Sequence, residues 1–221
     1  MTDAADAPLP PAEAGIRLNA VEARVLGCLV EKAATTPEVY PLTLNATQLA
    51  VNQKNNRDPI MHAELGAVGQ TLRTLEEKKL VREVRGARAL RYEHTVDAAL
   101  NLQTRSRAVL ALLLLRGPQT QNELLTRSDR LADFPDIESL NDTLQRLIAR
   151  DPPLAICIGR AAGQREDRYM HLLCGPVSAE LLLSHRTNES ESDDSTRPDL
   201  EARVDELERL VAELQRRIGG E

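Results

Sequence analysis

Residues 65–75 read LGAVGQTLRTL, and Leu65, Val68, Leu72 and Leu75 fall 3, 4 and 3 positions apart, the spacing of one face of an α-helix. The same spacing returns in Ile137, Leu140, Leu144 and Leu147. Each run leads into a β-like segment that closes on Arg-Tyr-x-His, first as Arg91-Tyr92-Glu93-His94 and then as Arg168-Tyr169-Met170-His171. A helical period followed by a strand pair, written twice, is one supersecondary plan used in tandem, and the plan is that of a winged helix.

Working outward, Asn19 and Glu22 stand at capping-box spacing ahead of a stripe of Val21, Val25, Cys28 and Leu29, which predicts a helix running to about Ala34. Thr35-Thr36-Pro37 stops it, and Tyr40 to Leu44 reads as a short extended connector. Asn45 is the expected cap of a second helix through Leu49 and Val51, Asn52 to Pro59 a polar turn, and 61–78 the third helix. Leu80–Arg85 and Ala89–His94 form a hairpin around Gly86-Ala87. The second unit repeats the order with helices at Arg105–Arg116, Thr120–Arg127 and Asp136–Arg150. Gly117-Pro118 is the stop signal of the first of these, and Thr120 with Glu123 is a capping box for the second. Leu154–Ile158 and Arg168–Leu173 flank a longer wing, Gly159–Asp167.

The expected fold class is therefore mainly α with small β wings (α+β): two tandem winged-helix domains, 17–96 and 97–175, plus a C-terminal coiled-coil helix. Residues 1–16 read as a disordered, Ala- and Pro-rich start, and 176–198 as an acidic flexible linker. Over 199–219, Leu200, Val204, Leu207, Val211, Leu214 and Ile218 make an unbroken heptad seam. Leu alternates with β-branched residues along it, the pattern of a parallel two-stranded coil, so self-association through this helix is expected. The alternative is that it folds back on its own body.

The charge is unevenly spread. The chain carries a formal −6, but eleven basic against nine acidic residues occupy 18–96, ten of each occupy 97–175, and six basic against twelve acidic lie in 176–221. A body that is neutral to slightly basic keeps nucleic acid open as a partner. Aromatics are only 2 % of the chain, so its cores must be built of Leu, Val, Ile and Ala. The start lacks the basic and apolar regions of a signal peptide. The longest apolar run, Ala108–Leu115, is far below the ~20 residues of a membrane span. A cytoplasmic protein without a membrane partner is expected.

No enzyme constellation is legible: there is no phosphate loop, no dinucleotide fingerprint, no nucleophile elbow and no HExxH. Cys28, Cys157 and Cys174 lack zinc spacing, and His62, His94, His171 and His185 lack ligand spacing, so neither cofactor nor metal is expected. His94 and His171 occupy matched positions, which points to packing.

Duplex DNA is the sharper expectation. Turning 100° per residue from the apolar stripe puts Ala63, Gly66, Ala67, Gln70, Arg73, Thr74 and Glu77 on the outer face of the third helix. Gln70 and Arg73 are types that bond base edges. Gln53, Lys54, Asn55 and Arg57 stand just before the helix, and the hairpin carries Arg82, Arg85, Arg88 and Arg91. Lys54, Arg57, Arg85 and Arg88 would form a phosphate clamp. The expected function is a DNA-binding, regulator-like factor working through the first unit. The corresponding face of the second unit, with Glu138, Asp142, Gln145, Arg146 and Ala149, is acidic enough to repel phosphate. That favours the alternative, a protein-interaction scaffold of tandem winged helices without DNA contact.

The motifs Arg24-Val25-Leu26-Gly27, Glu31-Lys32, Thr35-Thr36-Pro37, Tyr40-Pro41-Leu42, Leu44-Asn45, Asn52-Gln53-Lys54 and Asn56-Arg57-Asp58-Pro59 resemble the YceH family of bacterial proteins. So do Arg116-Gly117-Pro118-Gln119-Thr120, Glu123-Leu124, Pro152-Pro153-Leu154, Gly163-Gln164-Arg165-Glu166 and His171-Leu172-Leu173. The resemblance covers about 18–175 and implies tandem winged helices in a bacterial cytosolic protein; it carries over no catalytic residue. Val51, Asn55 and Ile60 depart from the family pattern, and none of them alters a charged position.

Overall fold

The computed structural model describes residues 16–86, 89–159 and 166–177. The expected N-terminal tail and heptad helix lie outside them, as does nearly all of the expected linker. The fold is mixed α/β, and each half runs through the same order. In the first half, α1 (Ala20–Thr35) is followed by a 3-10 turn (Pro37–Val39), β1 (Leu42–Thr43), α2 (Leu44–Val51), α3 (Leu65–Glu77), β2 (Val81–Arg85) and β3 (Leu90–His94). A short α4 (Val96–Leu100) leads to the second half: α5 (Thr104–Arg116), β4 (Gln119–Thr120), α6 (Gln121–Ser128), α7 (Ile137–Ile148), β5 (Ala155–Gly159) and β6 (Arg168–His171). Each half has one antiparallel three-stranded sheet, ordered β1-β3-β2 and β4-β6-β5.

Both expected capping boxes are present. The Asn19 side chain accepts from the Glu22 amide at 2.9 Å while Glu22 accepts from the Asn19 amide at 2.8 Å, and Thr120 with Glu123 repeats the exchange on α6. Gly117 ends α5 at φ 67°, a backbone that favours glycine. The second helix differs from expectation: it starts two residues earlier, capped by Thr43, whose hydroxyl accepts from the Ala46 amide, so Asn45 lies within the helix. The third helix begins at Leu65 instead of 61, because Ala63 is tied back to α2. Asn52 accepts from the Ala63 amide at 2.7 Å and donates to its carbonyl at 2.9 Å, and Gln48 donates there too.

The two-residue strands β1 and β4 explain the repeated Arg-Tyr-x-His. Arg91 donates to the Pro41 carbonyl at 2.6 Å and Arg168 to the Pro118 carbonyl at 3.1 Å, each gripping the residue just before the short strand. The following tyrosine pairs with the strand's first residue, Tyr92 with Leu42 and Tyr169 with Gln119. The histidines close the motif, His94 half-buried and His171 buried. The His94 amide donates to the Tyr40 hydroxyl at 2.6 Å.

One hydrophobic cluster runs through both halves. Its centre is α5, in which every residue from Ala108 to Leu115 is buried, as expected of a helix apolar on all sides. Its broadest helix partner is α1. Backbone bonds join the halves as well: the Leu18 amide donates to the Leu173 carbonyl at 2.7 Å and the Asp58 amide to Leu115 at 3.0 Å. Gly27 lies where α1 meets α5, and a Cβ there would stand 3.0 Å from Leu115 Cγ and 3.1 Å from Leu114 Cβ. Gly27→Val is therefore expected to destabilise the protein by about 1–3 kcal/mol through overpacking. A urea midpoint unchanged from the parent would show that the two helices can separate there at little cost.

Candidate nucleic-acid interface

Helix α3 is anchored by Val68, Thr71, Leu72 and Leu75, all buried. Leu65, expected in that stripe, is 37 % exposed because the helix starts there and its first turn overhangs the core. The opposite face is open: Gly66, Ala67, Gln70, Arg73 and Glu77 are exposed and Thr74 is half-buried. A side chain at Gly66 would meet nothing within 4 Å among the described residues. Thr74 turns its hydroxyl back to the Gln70 carbonyl, which removes it as a donor to a ligand. Glu83 is tied to this helix through its amide, which donates to Glu76 Oε1 at 3.1 Å, so the hairpin strand β2 is fixed against the end of α3.

The expected cations divide into two groups. Lys54, Arg73 and Arg85 are exposed, and among the described residues no carboxylate pairs with them. Gln53 and Asn55 are exposed beside Lys54, although Gln53 Oε1 accepts from Arg57 at 3.0 Å. Arg57 itself is not available to a phosphate. Its side chain is fully buried and grips both oxygens of Glu31, at 3.0 and 2.5 Å, while also donating to the carbonyls of Ala50 and Asn56. Burial opposes its charge, but the bonds to Glu31 outweigh that and hold Arg57 above its ordinary value. Arg82 is paired across the hairpin with Glu93, its directly opposite residue. Arg91 is committed to Pro41. Arg88 lies outside the described residues.

Of the expected clamp of Lys54, Arg57, Arg85 and Arg88, the described residues therefore leave Lys54 and Arg85, joined by Arg73 on the helix. Exposed carboxylates share the neighbourhood: Glu64, Glu76, Glu77 and Glu83. Their influence reaches Tyr92, whose hydroxyl is pushed up by burial and then by Glu83, with Arg73 pulling it down. The corresponding helix of the second half, α7, exposes Glu138, Asp142, Gln145 and Arg146, with Arg146 turned back onto Asp142 and Thr143.

The sequence reading missed the structural use of Arg57 and of Arg24. Arg24 is buried in α1 and donates to the Pro59 carbonyl at 2.7 Å, so the two arginines pin the 52–64 loop from beneath. The available signal was Glu31, a carboxylate next to the buried stripe of the first helix. Cys28 lies in the same core, where burial pushes its thiol up to about 11. Among the described residues no group of three His, Cys, Asp or Glu is placed to hold a metal ion, and no helix is long and apolar enough to cross a membrane.

Residues 18–164 match the protein family described as a protein of unknown function, DUF480. The chain is 50 % identical over 211 residues to a UPF0502 protein of Pseudomonas syringae pv. tomato, covering 96 % of this chain and 95 % of that one. It is 49 % identical over 219 residues to a UPF0502 protein of Stenotrophomonas maltophilia, covering 99 % and 98 %. A third UPF0502 protein, from Mesorhizobium japonicum, is 50 % identical over 201 residues, covering 91 % and 94 %. Identity at this level along nearly the whole length means that the chain belongs to the DUF480/UPF0502 family of bacterial proteins, of which YceH is a member.

Proposed function

We propose that each half is a winged helix and that the first binds duplex DNA, with α3 in the major groove and the β2–β3 hairpin as the wing. The observation that carries this is the open face of α3. Gly66 and Ala67 allow close approach, and Gln70 and Arg73 stand exposed with their side chains unbonded among the described residues. Lys54 ahead of the helix and Arg85 in the wing supply phosphate contacts. The heptad seam of 200–218 pairs two such chains.

Three described cations among four carboxylates make a modest electrostatic footprint, so binding is weak per chain and steeply salt-dependent. A fluorescence-anisotropy titration of duplex at two salt concentrations should give a log–log slope of about −2 per chain, at roughly −0.9 for each of the two phosphate contacts, and about twice that if two chains bind as a pair. Lys54→Ala with Arg85→Ala should weaken all sequences alike, whereas Gln70→Ala or Arg73→Ala should change the preference among them. No binding at low salt, or binding indifferent to salt, removes DNA from the account.

A protein-interaction scaffold is the second reading. It is favoured by the same carboxylates together with Leu49, Ile60 and Leu65, which are 71 %, 52 % and 37 % exposed in the first half. A stoichiometric protein partner that survives nuclease treatment, with no DNA binding, would select it.

A further inference from the structure

Away from α3, the C-terminal ends of α1, α5 and α6 converge on one cleft of about 510 Å³, a volume within the range of small-molecule sites. Each helix brings a cation in its last turn, Lys32, Arg116 and Arg127 respectively, and Arg130 follows just past the end of α6. Asn56, from the loop after α2, closes the cleft from the first half. Two carboxylates line it, Glu31 and Asp129. Glu31 is already neutralised from behind, since Arg57 holds both of its oxygens. With Arg57 and Glu123, which lie behind the lining on Glu31 and Arg127, five basic side chains stand against three carboxylates, so the cleft keeps a cationic surplus of two.

Basic residues in the last turn of a helix also serve the helix itself, by meeting its carbonyl end. That accounts for one cation on each helix. It does not account for Arg130, which lies beyond the last residue of α6, nor for the crowding around Arg116. The Arg116 guanidinium is held below its ordinary value first by burial and then by the charges of Arg127 and Arg57. Like charges gathered in a half-buried space are unfavourable, and Glu31 and Glu123 offset them only in part. The site is also positioned by more than chance packing. Arg116 is bonded to Asn56 Oδ1, which ties the loop after α2 to the end of α5. Arg127 is fixed by Gln119 Oε1 at 2.8 Å and Glu123 Oε1 at 3.2 Å.

We propose that this cleft binds a diphosphate ester of nucleoside size, with Lys32, Arg116, Arg127 and Arg130 donating to the phosphoryl oxygens. Guanidinium forks match such oxygens two at a time, and the cationic surplus favours an anion there. The remaining volume admits the organic part of the ester. Binding here is independent of the proposed DNA contact, which lies on α3 and the hairpin.

Isothermal titration of the full-length protein with adenosine diphosphate, inorganic pyrophosphate and adenosine, at matched ionic strength, tests this. The diphosphate and pyrophosphate should bind and adenosine should not. Arg116→Gln should weaken the diphosphate by at least about tenfold. Because Arg116 also bonds Asn56, that variant could fail to fold. Arg130→Gln with Lys32→Gln keeps the test open, since Arg130 is exposed and makes no bond to another described residue. That pair should weaken the diphosphate by a similar factor while leaving the unfolding midpoint within a few degrees of the parent. Absence of heat with both phosphates overturns the proposal. So does equal affinity in the folded double variant, which would put the anion elsewhere, and so does binding no tighter than that of sulfate.

Discussion

Replacing Arg57 with Met is expected to lower the stability of the folded chain by about 3–5 kcal/mol, the effect of stranding one member of a buried ion pair. Arg57 has no exposed side-chain surface, and its partner Glu31 is 14 % exposed. Without the guanidinium, Glu31 keeps only Lys32, at 3.6 Å, and the carbonyls of Ala50 and Asn56 lose a donor. Glu31→Gln should destabilise for the mirror reason, leaving a buried cation without its counter-charge. The combination Glu31→Leu with Arg57→Met should be less harmful than the two single changes added together, because no charge is then left unpaired. Urea unfolding provides the check, provided the slope stays constant across the variants. A phosphate-contacting arginine would behave in the opposite way, leaving the midpoint untouched and weakening DNA. Wild-type stability in Arg57→Met would therefore return this residue to the clamp.

Arg57 also shows where sequence reading stops. Features set within one turn of helix were legible. Both capping boxes join residues three apart, and Gly117-Pro118 ends α5 because the chain must leave the helix there. The third-helix stripes were legible for their interiors, Val68, Leu72 and Leu75 and then Leu140, Leu144 and Leu147. They failed at Leu65 and Ile137, each the first residue of its helix and each exposed, because periodicity cannot say where a stripe passes the edge of the core. Strands β1 and β4 have two residues each and so no period. They exist because β3 and β6, about fifty positions on, offer them a ladder. Arg57 sits in a polar stretch that looks solvated, and only the carboxylate 26 residues earlier takes it inside. In the same way Asn52-Gln53-Lys54 and Asn56-Arg57-Asp58-Pro59, two of the motifs that resemble the YceH family, stitch a loop to α1, α2 and α5. Of their charged and amide side chains only Lys54 remains as a clear surface cation at the candidate interface.

His171 should give the protein a pH-dependent stability that its surface charges do not predict. Its ring is buried, Nδ1 has no hydrogen-bond partner among the described residues, and burial pushes its pKa down to about 4. In the unfolded chain the same imidazole titrates near 6.5. Above that value both states are neutral at this site and the full stability is present. As pH falls below it, the unfolded chain takes up a proton that the folded chain refuses, so stability declines until about pH 4, where the folded ring also titrates. The difference amounts to about 3 kcal/mol across the window. His94, its counterpart in the first half, is displaced in the same direction by burial and adds to the slope. Acid-sensitive carboxylates contribute too, so the informative comparison is with His171→Gln, which carries no titrating group at that position. That variant starts from a lower stability, since a buried amide replaces a fitted ring. Even so, its urea midpoint should fall less steeply between pH 6.5 and pH 4 than the parent's. Parallel curves would mean that the folded chain protonates His171 as readily as the unfolded one, and that the hairpin strand carrying it opens to water at a cost smaller than its burial implies.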